Sequence, residues 1–159
     1  MASLKTPPKA DKLTRAALRY FGGKWQIAPW VISHLPAHRV YVEPFGGAAS
    51  VLMRKPRSTI EVYNDLDEEI VGIFQQLQDP AQCSQLMRLL RRTPYARGAF
   101  EQAFEPTCDP LARAQRAIVR AYMSFHHGAL FDPKKRTFAD ARHRGGNHCK
   151  AHEWASYPR

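Results

Sequence analysis

The sequence predicts an α/β fold, and three observations carry that expectation. Residues 39–43 (RVYVE) and 59–63 (TIEVY) are rich in β-branched and aromatic side chains, the composition of short strands. Each run is followed by a turn and a helical pattern, and a β-α-β-α order requires a parallel sheet. Beyond residue 79 only helical patterns recur, several of them led by a capping side chain and a proline.

Taken in chain order, residues 1–15 form a basic arm that opens MASLKTPPKADK. No apolar segment follows its basic residues, so it is not a secretory signal, and it is expected to be flexible. Trp25, Ile27, Trp30, Val31 and Leu35 recur at roughly helical spacing and predict a helix over 24–35, ended by Pro36. The strand 39–43 leads into a turn at 44–47 and a small-residue helix over 47–54. After the second strand, Asp65 or Asp67 caps a helix with Ile70, Ile73, Phe74 and Leu77 on one face. Asp79-Pro80, Thr93-Pro94 and Asp109-Pro110 each predict a new helix start. In the last of these helices Leu111, Ile118, Tyr122 and Phe125 make the apolar stripe, and Gly128 is its predicted C-terminal cap. The expected organisation is therefore the arm 1–15, an α/β part over 16–78, and a helical region over 79–159 with a basic loop at 132–150.

The chain has 159 residues, 44% of them apolar, which is enough for one domain with a real core. Its formal charge of +10 favours polyanionic partners, nucleic acid first among them. Three cysteines, an odd count without a CxxC pair, fit a reducing cytoplasm better than a disulfide scaffold. No apolar run is long enough to span a membrane. His143, His148, Cys149 and His152 lack the paired spacing of structural zinc sites, so no metal is predicted. His126 and His127 lie at an expected helix end, where a positive charge is favourable.

Two glycine clusters carry the candidate chemistry. In YVEPFGGAAS, residues 41–50, a strand ends in a turn almost without side chains, and backbone there can approach a ligand closely. A helix start after the turn would present N–H groups to an anionic group. Asp65, about twenty residues on at the end of the next strand, is placed to hold a ribose diol. Gly46-Gly47-Ala48-Ala49-Ser50 lacks the third glycine of a dinucleotide fingerprint, and Glu43 would repel a pyrophosphate. Acids with one cation instead match S-adenosylmethionine, which has a sulfonium, an ammonium, a carboxylate and a ribose. The second cluster, LRYFGGKWQ at 18–26, is not a phosphate loop, because no Ser or Thr follows Lys24. Gly22 and Gly23 allow a tight turn, Lys24 offers a cation for a carboxylate, and Tyr20 can border a purine or belong to the core.

The order YFGGK, then EPFGGAASV, then YNDLDEEIV resembles the Dam-type adenine-specific DNA methyltransferases, phage and prophage members included, over most of residues 16–159. The resemblance implies a Rossmann-like, S-adenosylmethionine-dependent sheet followed by a mostly helical target-recognition region. It implies that Tyr20, Lys24 and Asp65 contact the cofactor, with the turn from Glu43 through Phe45 and Gly46 to Gly47 as the pocket floor. It also implies double-stranded DNA as partner and methyl transfer to the exocyclic amine of adenine. RAYMSFHHGALF, the basic loop and EWASYP are similar, more loosely, to the recognition region.

That family works with a later Asp/Asn-Pro-Pro-Tyr/Phe motif, on whose ring a flipped adenine stacks. The motif is absent: Thr6-Pro7-Pro8-Lys9, Asp79-Pro80, Asp109-Pro110 and Asp132-Pro133 are the nearest strings. The expectation is an N-terminal portion that turns nothing over alone. Its sheet would have an open edge beside the first strand, which predicts poor stability or self-association through that edge. Residues 134–150 carry Lys134, Lys135, Arg136, Arg142, Arg144 and Lys150 against one acid, Asp140, so DNA phosphates are the contacts expected there, with Arg142 or Arg144 available for base edges. Phe138 is available to wedge or stack, and Arg88, Arg91, Arg92 and Arg97 add a basic face or a solvated one. The rival functions are a non-catalytic DNA-binding remnant and a nucleotide-dependent oxidoreductase.

Overall fold

The computed structural model describes residues 13–125, 137–140 and 151–157. Residues 1–12 of the arm, His126, His127 and Gly128, and all five basic loop residues from Lys134 to Arg144 lie outside the described residues, as do His143, His148 and Cys149.

The elements run α1 (Ala28–Ser33), β1 (Val40–Glu43), β2 (Ile60–Tyr63), α2 (Glu68–Gln78), α3 (Pro80–Arg92), α4 (Arg97–Gln102), α5 (Pro110–Met123) and α6 (Ala151–Ser156). Strands β1 and β2 pair in parallel, with Val40 opposite Ile60 and Glu43 opposite Tyr63. Three of the expected caps form. Asp67 accepts from the Glu69 N–H, Asp79 from Ala81 and Gln82, and Asp109 from Leu111 and Ala112.

Four expectations are corrected. The helix at 24–35 shortens to α1, because turns occupy the residues before Ala28. Residues 47–54 form successive turns rather than a helix. Gly47 and Ala49 both sit at φ +50°, which breaks a right-handed run, and side chains rather than carbonyls take the N–H groups of Gly47 and Leu52. Thr93 ends α3 instead of starting α4: its hydroxyl donates to the Leu89 carbonyl, and α4 begins after Ala96 with no side-chain cap. Helix α5 stops at Met123 with Ser124 rather than Gly128 as its cap, so Phe125 falls beyond the predicted stripe.

The core gathers between α2, α3, α4 and α5, where Leu86, Leu90, Phe100, Ile118 and Met123 are fully buried. Leu18 reaches it from the segment before α1, and Trp154 from α6. Phe138 is buried there as well, its ring 5.7 Å from that of Phe100 and 5.2 Å from that of Tyr95, so it is core rather than a wedge. Arg120, also buried, holds Glu69 of α2 through both carboxylate oxygens at 2.6 and 2.5 Å. Behind the sheet, the buried Lys55 ammonium donates to Glu61 (2.6 Å), Ser58 (2.7 Å) and the Pro56 carbonyl (2.8 Å). Burial would raise the Glu61 carboxyl, but the bonds from Lys55 and the Ser58 N–H, with the Lys55 and Arg57 charges, hold it below its ordinary range.

Candidate functional site

The turn after β1 and the turn after β2 are bonded to each other. Gly46 N–H donates to the Asn64 carbonyl at 2.9 Å, and Asn64 Nδ2 donates to the Pro44 carbonyl at 2.9 Å. Parallel pairing puts the ends of both strands at one edge of the sheet, and the two turns meet beyond it. A cavity of about 640 Å³ opens there. It is the position where ligands enter open α/β sheets, outside the carboxyl ends of the strands.

All nine residues singled out in the sequence line this one cavity: Tyr20, Gly22, Gly23, Lys24, Glu43, Phe45, Gly46, Gly47 and Asp65. The Gly22-Gly23 turn closes where the Gly23 N–H donates to the Tyr20 carbonyl at 3.0 Å, and it leaves Lys24 exposed on the rim. Phe21, Phe45 and Leu66 are large apolar rim residues, 67%, 77% and 85% exposed. Such a surface suits a flat, apolar ring, while the acids and Lys24 supply charge of both signs.

The carboxylates also hold the turns. Asp65 Oδ2 accepts from the Gly47 N–H at 2.8 Å and Oδ1 from the Asp67 N–H at 2.9 Å. Each oxygen keeps a second lone pair, so Asp65 braces the turn and retains acceptor capacity. Glu43 Oε1 accepts from the Tyr41 hydroxyl and the Leu52 N–H, both at 2.8 Å. Its Oε2 and the Ser50 hydroxyl are buried without a hydrogen-bond partner among the described residues. Burial, then the charges of Asp65 and Asp67, push the Tyr20 hydroxyl up to about 12, so it stays protonated across the physiological range.

Both glycines of the turn are dictated by tyrosines. A Cβ on Gly46 would lie 2.2 Å from the Tyr63 ring, and one on Gly47 would lie 2.8 Å from the Tyr20 ring. The Tyr63 hydroxyl donates to the Gly47 carbonyl at 2.7 Å. Burial first, and then Asp65, raise its pKa above the ordinary tyrosine value. Tyr63, Phe21 and Leu66 escaped sequence reasoning. The register that sets Tyr63 opposite Glu43 is a pairing fact, and no local pattern marks it.

A parallel strand pair, a glycine turn, a following acid and a mixed-charge cavity thus come together at one edge of the sheet of an α/β protein. Residues 20–131 match the family model described as D12 class N6 adenine-specific DNA methyltransferase, and the chain belongs to this family. The matched segment runs from Tyr20 through the whole cavity and α5. The family generally uses S-adenosylmethionine, and its substrate is DNA. No curated protein matches the chain. Among the described residues no helix is long and apolar enough to cross a membrane.

Proposed function

We propose that this chain binds S-adenosylmethionine in the cavity beyond β1 and β2, as the cofactor part of a Rossmann-like adenine DNA methyltransferase. The convergence of Lys24, Asp65 and the Glu43–Gly47 turn on one cavity carries the proposal. Lys24 pairs with the methionine carboxylate, Asp65 accepts from the ribose diol, and Tyr20, Phe45 and Leu66 border the adenine. Residues 16–78 are the cofactor part and 79–159 the target-recognition part, acting on double-stranded DNA in the cytoplasm. The loop residues Lys134, Lys135, Arg136, Arg142 and Arg144 meet its phosphates.

Within the whole reaction the sulfonium methyl passes to the exocyclic amine of an adenine extruded from the duplex. No Asp-Pro-Pro-Tyr string, the motif that holds that amine in the family, occurs in the 159 residues. Calorimetric titration with S-adenosylmethionine is expected to show one site. Lys24→Ala and Asp65→Ala each weaken it about tenfold, the size of one charge-assisted hydrogen bond. In the same preparation, labelled methyl does not transfer to duplex DNA. Unchanged affinity in both variants would sink the site assignment, and tighter binding of a nicotinamide dinucleotide would favour the oxidoreductase reading instead.

The sheet supports self-association. Val40, Val42, Ile60 and Val62 share its outer face and are between 43% and 53% exposed. Among the described residues β1 pairs only with β2. Sedimentation velocity is expected to show concentration-dependent association that Val42→Lys weakens. A single monomeric species at all concentrations would rule this out.

A further inference from the structure

A second cleft, of about 320 Å³, lies between α3, α4 and α5, away from the cavity described above. Each helix sends one stripe to it. Arg92 comes from the end of α3, Gln102 and Ala103 from α4 and its C-terminal cap, and Ala112, Gln115 and Arg116 from α5. The alanines keep the floor open, and the charged or amide side chains stand around it. No carboxylate among the described residues lines the cleft.

The donors are unevenly used. Arg116 donates from Nη1 to the Glu105 and Pro106 carbonyls, which ties its guanidinium to the segment between α4 and α5 and leaves its other N–H groups without a bond among the described residues. Gln115 Nε2 donates to the Thr93 hydroxyl at 2.8 Å, which fixes the rim beside it. Arg92 is exposed and makes no hydrogen bond or ion pair among the described residues. Two arginines line this cleft with no carboxylate beside them among the described residues, and arginine offers a tetrahedral oxyanion paired donors that lysine lacks.

We infer that this cleft takes a backbone phosphate of the DNA substrate, with Arg92 and Arg116 as its ligands. The inference rests on the DNA-methyltransferase reading but not on the cofactor cavity. A phosphodiester with its flanking sugar suits an open cleft of this size better than a lone small anion, and the +10 chain already attracts polyanions. Arg92 and Arg116 fix where the helical region sits on the duplex and carry no base information.

The test is a salt titration of duplex binding by the full 159-residue chain. Loss of one phosphate contact lowers the slope of log Kobs against log salt by about 0.9. Arg92→Ala combined with Arg116→Lys is expected to show that drop, and Arg92→Glu alone at least as much. Arg113→Ala, on α5 but outside the cleft, leaves the slope unchanged. Affinity for S-adenosylmethionine and the circular dichroism spectrum stay at parental values in every variant, so a folding defect is separated from a lost contact. A parental slope in both cleft variants overturns the inference while leaving duplex binding itself intact. A parent chain that binds no duplex overturns it together with the DNA reading. Saturation of the arginine Nε signals by inorganic phosphate, undisplaced by duplex, assigns the cleft to a free anion and overturns it too.

Discussion

Gly46→Ala is expected to destabilise the chain by about 2–4 kcal/mol, combining an overpacked contact with a lost hydrogen bond. The new Cβ would sit 2.2 Å from Tyr63 Cε2 and 2.5 Å from Cδ2, inside any tolerable contact. The ring has nowhere easy to go. It packs edge-on against Phe74 with centroids 5.1 Å apart, and its hydroxyl is tied to the Gly47 carbonyl at 2.7 Å. Moving it frees that carbonyl and shifts the turn that forms the cavity wall, so affinity for S-adenosylmethionine falls with stability. Urea denaturation checks the first effect and calorimetry the second. Tyr63→Phe should lose only the hydrogen bond, about 1 kcal/mol. Gly46→Ala in a Tyr63→Leu background should recover part of the loss, because the clash partner has shrunk. If Gly46→Ala unfolds at the parental urea midpoint, the glycine is not there to admit the ring.

The second large effect is placed on Arg120. Its side chain is 9% exposed, donates to both oxygens of Glu69 and to the Ala103 carbonyl, and lies 5.6 Å from the Phe104 ring centroid. It joins α2, the end of α4 and α5 through one buried group. Arg120→Met should cost about 3 kcal/mol, the low end for breaking a buried pair, because Glu69 at 36% exposure recovers some hydration. Glu69→Leu alone should cost as much or more, since it leaves the buried guanidinium without its anion. The double variant, Glu69→Leu with Arg120→Met, should be more stable than the sum of the singles predicts. A strictly additive double-mutant cycle would mean the two groups do not interact in solution.

The parallel sheet and the helix caps at Asp67, Asp79 and Asp109 were legible because their signals are local. An acid two or three residues before a free N–H, or a proline at a first helical position, identifies a helix start wherever it occurs. The family resemblance was legible in three short strings for the same reason. Each string holds a backbone shape, and the nine candidate residues within them line one cavity. Thr93-Pro94 resembles the genuine starts closely. What separates it is that Leu89, one turn earlier, offers a carbonyl to the threonine hydroxyl, and only the completed helix brings that carbonyl within reach.

From the amino-acid order alone came the class of fold, the family, and the side chains that surround the candidate site. Tertiary structure alone decided that residues 47–54 coil instead of forming a helix, that Phe138 is core, that Glu43 braces a turn, and that Arg92 and Arg116 share a cleft. The reason is the distance along the chain over which each is settled. The Gly47 N–H finds its acceptor eighteen residues away in Asp65, and Arg120 finds Glu69 fifty-one residues away, pairings that no local pattern encodes.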